Sequence, residues 1–185
     1  PENAEIFAKV AMAYNELEPS ASGAEGIGLV FLSQKNYSKA IEFFKKAVES
    51  ADNNEDKAEY NLNIAKANLY AKSYAAARTY AQKAAALKSG WGAPYMVIGD
   101  AYMAGARNCD DGKLGKFSAY WAAVDKYQKA KSIDGSVAAD ASKKIARAGV
   151  SYPATKDLFF YSVKDGDSYT CGCWINETTT VRSKK

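Results

Sequence analysis

The sequence contains no histidine among its 185 residues. Histidine is the side chain most often used as a general base near neutral pH and the commonest metal ligand. Cysteine is scarce as well, with three residues, whereas a structural zinc site needs four ligands. From these absences we expect no metal site, no other cofactor and no enzyme activity.

Long apolar runs and clustered basic residues are also missing. No apolar stretch approaches the roughly 18 residues expected of a membrane-spanning helix. The formal net charge is +4, and the basic residues are spread along the chain except at the tail, Arg182, Lys184 and Lys185. A nucleic-acid interface normally gathers its basic residues on one face. We therefore expect neither a membrane span in this chain nor a nucleic-acid partner.

What the chain does contain is a recurring helical segment. NYSKAIEFFKKAVE at 36–49 is echoed by SYAAARTYAQKAAA at 73–86 and by AYWAAVDKYQKAKS at 119–132. Each copy has the apolar spacing of one helix face after a short polar turn. The segment before each copy is also helical in pattern. The sequence therefore predicts a series of helical hairpins.

The apolar spacing gives bounds for these helices, and a polar, glycine-rich loop at 106–115 interrupts the third hairpin. After residue 158 the period changes, and LFFYSV, the turn KDGD and SYTCGCWI predict strand, turn and strand. The TTTV run at 178–181 would extend a strand. Helices are predicted at 3–17, 22–32, 37–50, 56–71, 74–87, 93–105, 116–133 and 137–149.

Small residues mark the same position in each hairpin. Gly28, Ala65 and Gly99 follow one another at intervals of 37 and 34 residues. A helical hairpin of about 34 residues with small residues at helix contacts resembles the tetratricopeptide repeat. The residues that carry this resemblance are Ile27, Gly28, Phe31, Ala40, Phe44 and Ala47, then Ile64, Ala65, Ala77 and Ala84, then Ile98, Gly99, Tyr102, Ala123, Tyr127 and Ala130.

The resemblance implies a mainly α fold, a right-handed α–α superhelix, with a small C-terminal β-hairpin as a cap. We expect the array to cover 1–152, and the β-hairpin and tail at 153–185 to pack on it. Within the array the units lie near 21–54, 58–91 and 92–135, the last with its insertion at 106–115, and a final helix covers 137–149.

The C-terminal part has a narrower resemblance. YWAAVDKYQKAKSID, DLFF and SYTCGCWINETTTVR are similar to segments of exported Bacteroidetes repeat proteins of unknown function. That likeness implies a periplasmic or outer-membrane location. Because the chain begins with Pro1 and not Met, we expect a trimmed form from which a signal peptide was removed.

In tetratricopeptide proteins the first helix of each hairpin lines a concave groove, which suits an extended or helical peptide. The family's carboxylate clamp is disfavoured, because Glu25 and Leu29 stand where Lys and Asn are needed. The alternative is a groove covered by the chain's own tail. By the resemblance, the groove shows Glu25, Leu29, Leu32, Glu59, Leu62, Lys66, Leu69, Met96, Asp100 and Met103.

A second candidate site lies in the C-terminal segment, with two interpretations. Glu177 and Arg182 would form a polar pocket with Asp125, or they would pair internally while the hairpin seals the last helices. We favour the sealing hairpin, with Trp174 near Trp121.

The three cysteines predict one disulfide. In an oxidising compartment, Cys109 would bond to Cys171 or Cys173 and hold the inserted loop against the hairpin. We expect the side chains of Cys171 and Cys173 to point apart, which disfavours a bond between them.

Together these features favour an adaptor or scaffold of the bacterial cell envelope that binds a protein or peptide without catalysis. The alternative is a structural component of an envelope assembly, with its groove occluded by the C-terminal segment.

Overall fold

The structure is a computed structural model that describes residues 6, 10–13, 15 and 17–184. Of the predicted first helix, 3–17, the described residues are helical and the others lie outside the described part. The chain divides into two compact units, Pro1–Ser89 and Gly90–Lys185.

The first unit contains two helical hairpins. Helix α1 (Ala21–Ser33) pairs with α2 (Tyr37–Ser50), and α3 (Asn54–Tyr70) pairs with α4 (Tyr74–Leu87). Short polar side chains begin three of these helices, since each satisfies a backbone N–H that has no partner inside the helix. These caps are Ser20 to the N–H of Gly23, Asn36 to that of Lys39 and Asn53 to that of Asp56, at 3.1, 3.3 and 2.8 Å.

Both hairpin turns of this unit use the same backbone motif. Lys35 and Lys72 adopt left-handed conformations, with φ of 59° and 61°. The next residue, Asn36 or Ser73, donates its N–H to a carbonyl five positions earlier, at 2.8 and 2.9 Å. This is the Schellman arrangement, which satisfies the last carbonyls of the first helix. The repeat in sequence is therefore a repeat in turn geometry.

The second unit has one helical hairpin with an inserted segment, followed by shorter elements. Strands β1 and β2 pair antiparallel, with Ser168 opposite Thr180 and Cys171 opposite Glu177. The elements are α5 (Ala93–Gly105), a 3₁₀ turn (Ala106–Cys109), α6 (Gly115–Ile133), a second 3₁₀ turn (Gly135–Val137), α7 (Ala138–Gly149), α8 (Thr155–Phe160), β1 (Ser168–Cys171) and β2 (Glu177–Thr180).

The structure corrects the predicted strand at 158–163. This segment is helix α8 and a turn, and the two strands are 168–171 and 177–180. The Asp157 carboxylate accepts the N–H of Ala154 at 3.2 Å and so caps the short helix. Leu158 is buried whereas Phe159 and Phe160 are more than three-quarters exposed. Of the six side chains of α8, one is buried. This pattern fits a short helix and not a strand, in which buried and exposed side chains would alternate.

Helix contacts within the hairpins depend on complementary side-chain volumes. A Cβ atom on Gly28 would lie 2.6 Å from the Phe44 ring, and one on Gly99 would overlap the Tyr127 ring. The equivalent positions of the middle hairpin hold Ala65 and Ala81, both fully buried. A glycine thus faces an aromatic ring in two hairpins, while alanine takes both positions in the other.

The predicted fold class, a mainly helical repeat protein with a small C-terminal antiparallel sheet, is confirmed. Among the described residues, no helix combines the length and the apolar character required to cross a membrane. The predicted division between 1–152 and 153–185 stays a prediction.

Two glycines of α1 allow a matched test of helix packing. Gly28→Ala should destabilise the protein by about 1 kcal/mol, because overpacking against Phe44 costs about 1–3 kcal/mol and the gain in helix propensity returns only about 1 kcal/mol. Gly26→Ala should be neutral or stabilising, because a Cβ there meets nothing within 4 Å. Urea unfolding of both variants measures the difference, and a Gly28→Ala variant as stable as Gly26→Ala would contradict the packing.

Candidate functional site

The groove residues predicted in the first unit differ widely in exposure. Leu29 is 45% exposed, and Glu59 is also exposed. Glu25 accepts a hydrogen bond from the Asn63 amide at 3.0 Å. Burial, and next the negative charge of Glu59, raises the pKa of Glu25. Leu32, Lys66 and Leu69 are half-buried. This face is therefore mixed in polarity and carries a carboxyl group whose pKa is raised.

Two predicted groove residues are not on the surface. Leu62 is 3% exposed and Met96 is 7% exposed. Both belong to the packed side of their helices, so neither side chain is available to a ligand. The groove residues were predicted from their positions in the repeat. Repeat position does not show how closely neighbouring helices cover a side chain. Leu62 and Met96 are accordingly removed from the candidate site.

The second unit has a cleft of about 400 Å³ between helices α5, α6 and α7. That volume is within the range typical of ligand sites. Two predicted groove residues, Asp100 and Met103, line it. The cleft is also lined by Tyr120 and Tyr127 of α6 and by Lys144 and Arg147 of α7.

Asp100 is the polar centre of this cleft. Its Oδ1 atom accepts hydrogen bonds from the Tyr127 hydroxyl and the Lys144 ammonium group, both at 2.8 Å. Burial, and next the charge of Asp100, raises the pKa of Tyr127 far above its usual range. Lys144 offsets the charge of Asp100, so among the described residues that line the cleft the exposed guanidinium of Arg147 is the charge left unbalanced.

The sequence did not single out Lys144, Arg147 or Tyr120. Lys144 and Arg147 are three residues apart, a spacing that puts both on one face of α7. That spacing was visible in the sequence. Their approach to Asp100, 44 residues away from Lys144, depends on tertiary packing, and no local pattern reports it.

The C-terminal cluster is held together by its own charges. The Asp125 carboxylate accepts hydrogen bonds from the Arg182 guanidinium and the Thr179 hydroxyl, both at 2.5 Å. Arg182 also donates to the Trp121 carbonyl at 3.2 Å, and the Trp121 indole N–H donates to the Arg182 carbonyl at 2.9 Å. Strand β2 and the residues after it are thereby joined to α6 through both backbone and side chains.

Glu177 forms a second link between the strands and the helices. One oxygen accepts the Tyr102 hydroxyl at 2.6 Å, and the other lies 2.7 Å from the Lys126 ammonium group. The Trp174 ring makes an edge contact with Tyr102 at 5.5 Å. Trp121 makes an edge contact with Tyr169 at 5.7 Å, and the expected closeness of Trp174 to Trp121 stays a prediction.

This geometry is what a sealing hairpin needs. Trp121 is fully buried in a cluster with Leu114, Leu158 and Val181, and charged neighbours of the cluster pair with each other. Buried aromatic rings and satisfied charges stabilise a fold and leave little to bind a ligand. We therefore take the cleft, and not this cluster, as the candidate site.

The cysteines lie together beside the hairpin. Cys109, at the end of the 3₁₀ turn, is bonded to Cys173, one of the two partners that the sequence allowed. Cys171 is a buried thiol, and burial raises its pKa. The Cys171 and Cys173 sulfur atoms are 3.7 Å apart. The two are not bonded to each other, as expected. The expectation that their side chains point apart is wrong, because residues two apart along a strand point to the same face.

Comparisons with known proteins add a likeness of fold. No family model matches the chain, and no curated protein matches it either. Among solved structures, the chain is similar to a crystal structure of MamA, with 18% sequence identity, a TM-score of 0.46, and coverage of 84% of this chain and 88% of that one. A likeness of this degree carries no information on function.

The internal pairing of the C-terminal cluster can be tested by stability. Asp125→Ala should destabilise the protein by about 1–3 kcal/mol, because Arg182 and Thr179 both lose a partly buried acceptor. Glu42→Ala is the control, since it removes an exposed pair with Lys46 and should change stability by about 0.5 kcal/mol or less. Equal melting curves for the two variants would show that the cluster does not hold the hairpin in place.

Proposed function

We propose that this protein is a non-catalytic adaptor that binds a peptide segment of a partner protein in the cleft between α5, α6 and α7. The observation that carries the proposal is the combination of a cleft of ligand size with an unbalanced guanidinium, Arg147, at its wall. Met103 and Tyr120 supply apolar surface beside this charge. We propose that the bound segment carries an acidic side chain for Arg147.

The position of the C-terminal segment supports an accessible cleft. Among the described residues, none from 153 to 184 lines it. The C-terminal strands pack instead on the part of α6 that carries Trp121 and Asp125. The alternative function, a structural component whose groove is occluded by its own tail, therefore has no support from this cleft.

The carboxylates support binding over catalysis. Asp100, Asp125 and Glu177 each lie within an ion pair, with Lys144, Arg182 and Lys126 respectively. A general base works best when it is free to take up a proton near the working pH. Asp125 and Glu177 lie outside the cleft, and the described residues of its lining include no carboxylate besides Asp100.

We also propose that the protein works outside the cytoplasm, in the bacterial envelope. The bond between Cys109 and Cys173 supports this location, because disulfides persist mainly in oxidising compartments. Blocking free thiols in intact cells before lysis tests it: one alkylated cysteine per chain is expected after denaturation, and three would contradict the proposal.

Arg147→Glu should weaken peptide binding at the cleft at least tenfold. The substitution reverses the exposed charge without removing a buried contact, so folding should be unchanged. Lys143→Glu is the matched control, since Lys143 is exposed on the same helix but does not line the cleft. The measurement is binding to an array of synthetic peptides that differ in their acidic residues, followed by titration of the strongest sequences.

The wild type and Lys143→Glu should bind the same acid-containing peptides, and Arg147→Glu should bind them at least tenfold more weakly. An equal loss of peptide affinity in Arg147→Glu and Lys143→Glu would show that the effect comes from the protein's net charge and not from Arg147. Undiminished binding by Arg147→Glu would place the peptide elsewhere and contradict the proposed site.

A further inference from the structure

Three sulfur atoms from distant parts of the chain meet next to the C-terminal hairpin. The Sγ atoms of Cys109, Cys171 and Cys173 all lie within 4.8 Å of one another. Cys109 comes from the inserted segment, Cys171 from the end of β1 and Cys173 from the turn after it. Cys109 and Cys171 are buried and Cys173 is half-buried. The cluster is outside the proposed peptide cleft and plays no part in it.

One of the separations, that between the Cys171 and Cys173 sulfur atoms, matches a metal site with three ligands. Sulfur ligands lie about 2.3 Å from a bound first-row metal ion, so three of them in one plane around the ion are about 4 Å apart. The 3.7 Å between the Cys171 and Cys173 sulfurs is close to that value. Cys109 and Cys173 are bonded here, and reduction would have to release them before they could act as ligands.

Two polar groups lie beside the Cys171 sulfur, the backbone N–H of Cys173 and the Ser118 hydroxyl. The hydroxyl donates its hydrogen to the Gly115 carbonyl at 2.6 Å. Ser118 is itself fully buried, so its position is set by packing. Glu177 and Asp111 act electrostatically on the thiol, and the charge of Glu177 is offset by Lys126 at 2.7 Å.

We propose that the reduced protein binds one Cu⁺ ion through the sulfur atoms of Cys109, Cys171 and Cys173. Thiolate is a soft ligand that favours Cu⁺, Zn²⁺ and iron–sulfur clusters. Zinc in a structural site takes four protein ligands, and iron–sulfur clusters are usually held by four cysteines. The donor group found among the described residues contains three cysteines and no carboxylate, which suits an ion that accepts three soft ligands.

The chemistry requires a reductant. A dithiol supplies two electrons and two protons to the bond between Cys109 and Cys173, giving two thiols, and is itself oxidised to a disulfide. Cu⁺ then binds the sulfurs and releases one proton for each thiolate formed. The protein can therefore hold either the bound copper ion or the disulfide, but not both at once. Either one joins the inserted segment to the hairpin.

Copper binding can be measured on the full chain by competition. The protein is reduced with a dithiol, freed of it by gel filtration without oxygen, and titrated with Cu⁺ in the presence of a chromophoric Cu⁺ chelator. One equivalent should be withdrawn from the chelator, and X-ray absorption should count three sulfur neighbours. Cys171→Ser keeps the Cys109–Cys173 pair and should bind Cu⁺ at least tenfold more weakly, with unchanged circular dichroism.

Two controls make the result decisive. The oxidised wild type should withdraw no copper, and Cys173→Ser, which replaces a half-buried residue, serves if Cys171→Ser folds poorly. Three results would each overturn the proposal. They are equal affinity in the wild type and the serine variants, copper uptake by the oxidised protein, and no uptake by reduced protein that keeps its helical spectrum. Zn²⁺ binding with the same dependence on Cys171 and higher affinity than Cu⁺ would overturn the choice of ion.

Discussion

The second unit depends on the burial of Trp121 against the residues that follow β2. Its ring is fully buried, its indole N–H donates to the Arg182 carbonyl, and its own carbonyl accepts from the Arg182 guanidinium. A tryptophan at this place on α6 would leave a large apolar surface in water if the C-terminal segment were absent. The segment therefore covers the face of α6 that neither α5 nor α7 covers, and the inserted residue Leu114 belongs to the same cluster.

That arrangement separates the residues that stabilise the hairpin from the cleft that we propose binds a peptide. On the covered side of α6, Asp125 is used by Arg182 and Thr179. On the other side, Tyr120 and Tyr127 face a cleft whose wall carries Arg147. One helix thus contributes a sealed face and an accessible face, and the carboxylates of the sealed face are unavailable to a ligand.

The helices were predictable because each local signal agreed with the repeat. The polar turns before Tyr37 and Tyr74 and the small residues Gly28 and Gly99 carry information that is local or periodic.

The segment at 158–163 was not predictable, because a short apolar run has no period long enough to distinguish strand from helix. The predicted pairing of Cys109 with a cysteine of the hairpin is confirmed. The closeness of Cys171 and Cys173 was missed, although a spacing of two residues places both on one face of a strand. The cleft residues Lys144 and Arg147 depend on packing between distant segments, which neither composition nor spacing reveals.

We expect the C-terminal segment and α6 to unfold together, as one cooperative unit. Amide hydrogen exchange measures this directly, because amides that open together share one free energy of exchange. The N–H of Val181, which donates to the Asp167 carbonyl at 2.8 Å, should exchange with the same free energy as the amides of Ala122 and Val124 in α6. Exchange of Val181 at a free energy well below that of α6, with α6 still fully protected, would show that the segment is a loose appendage and would contradict the account.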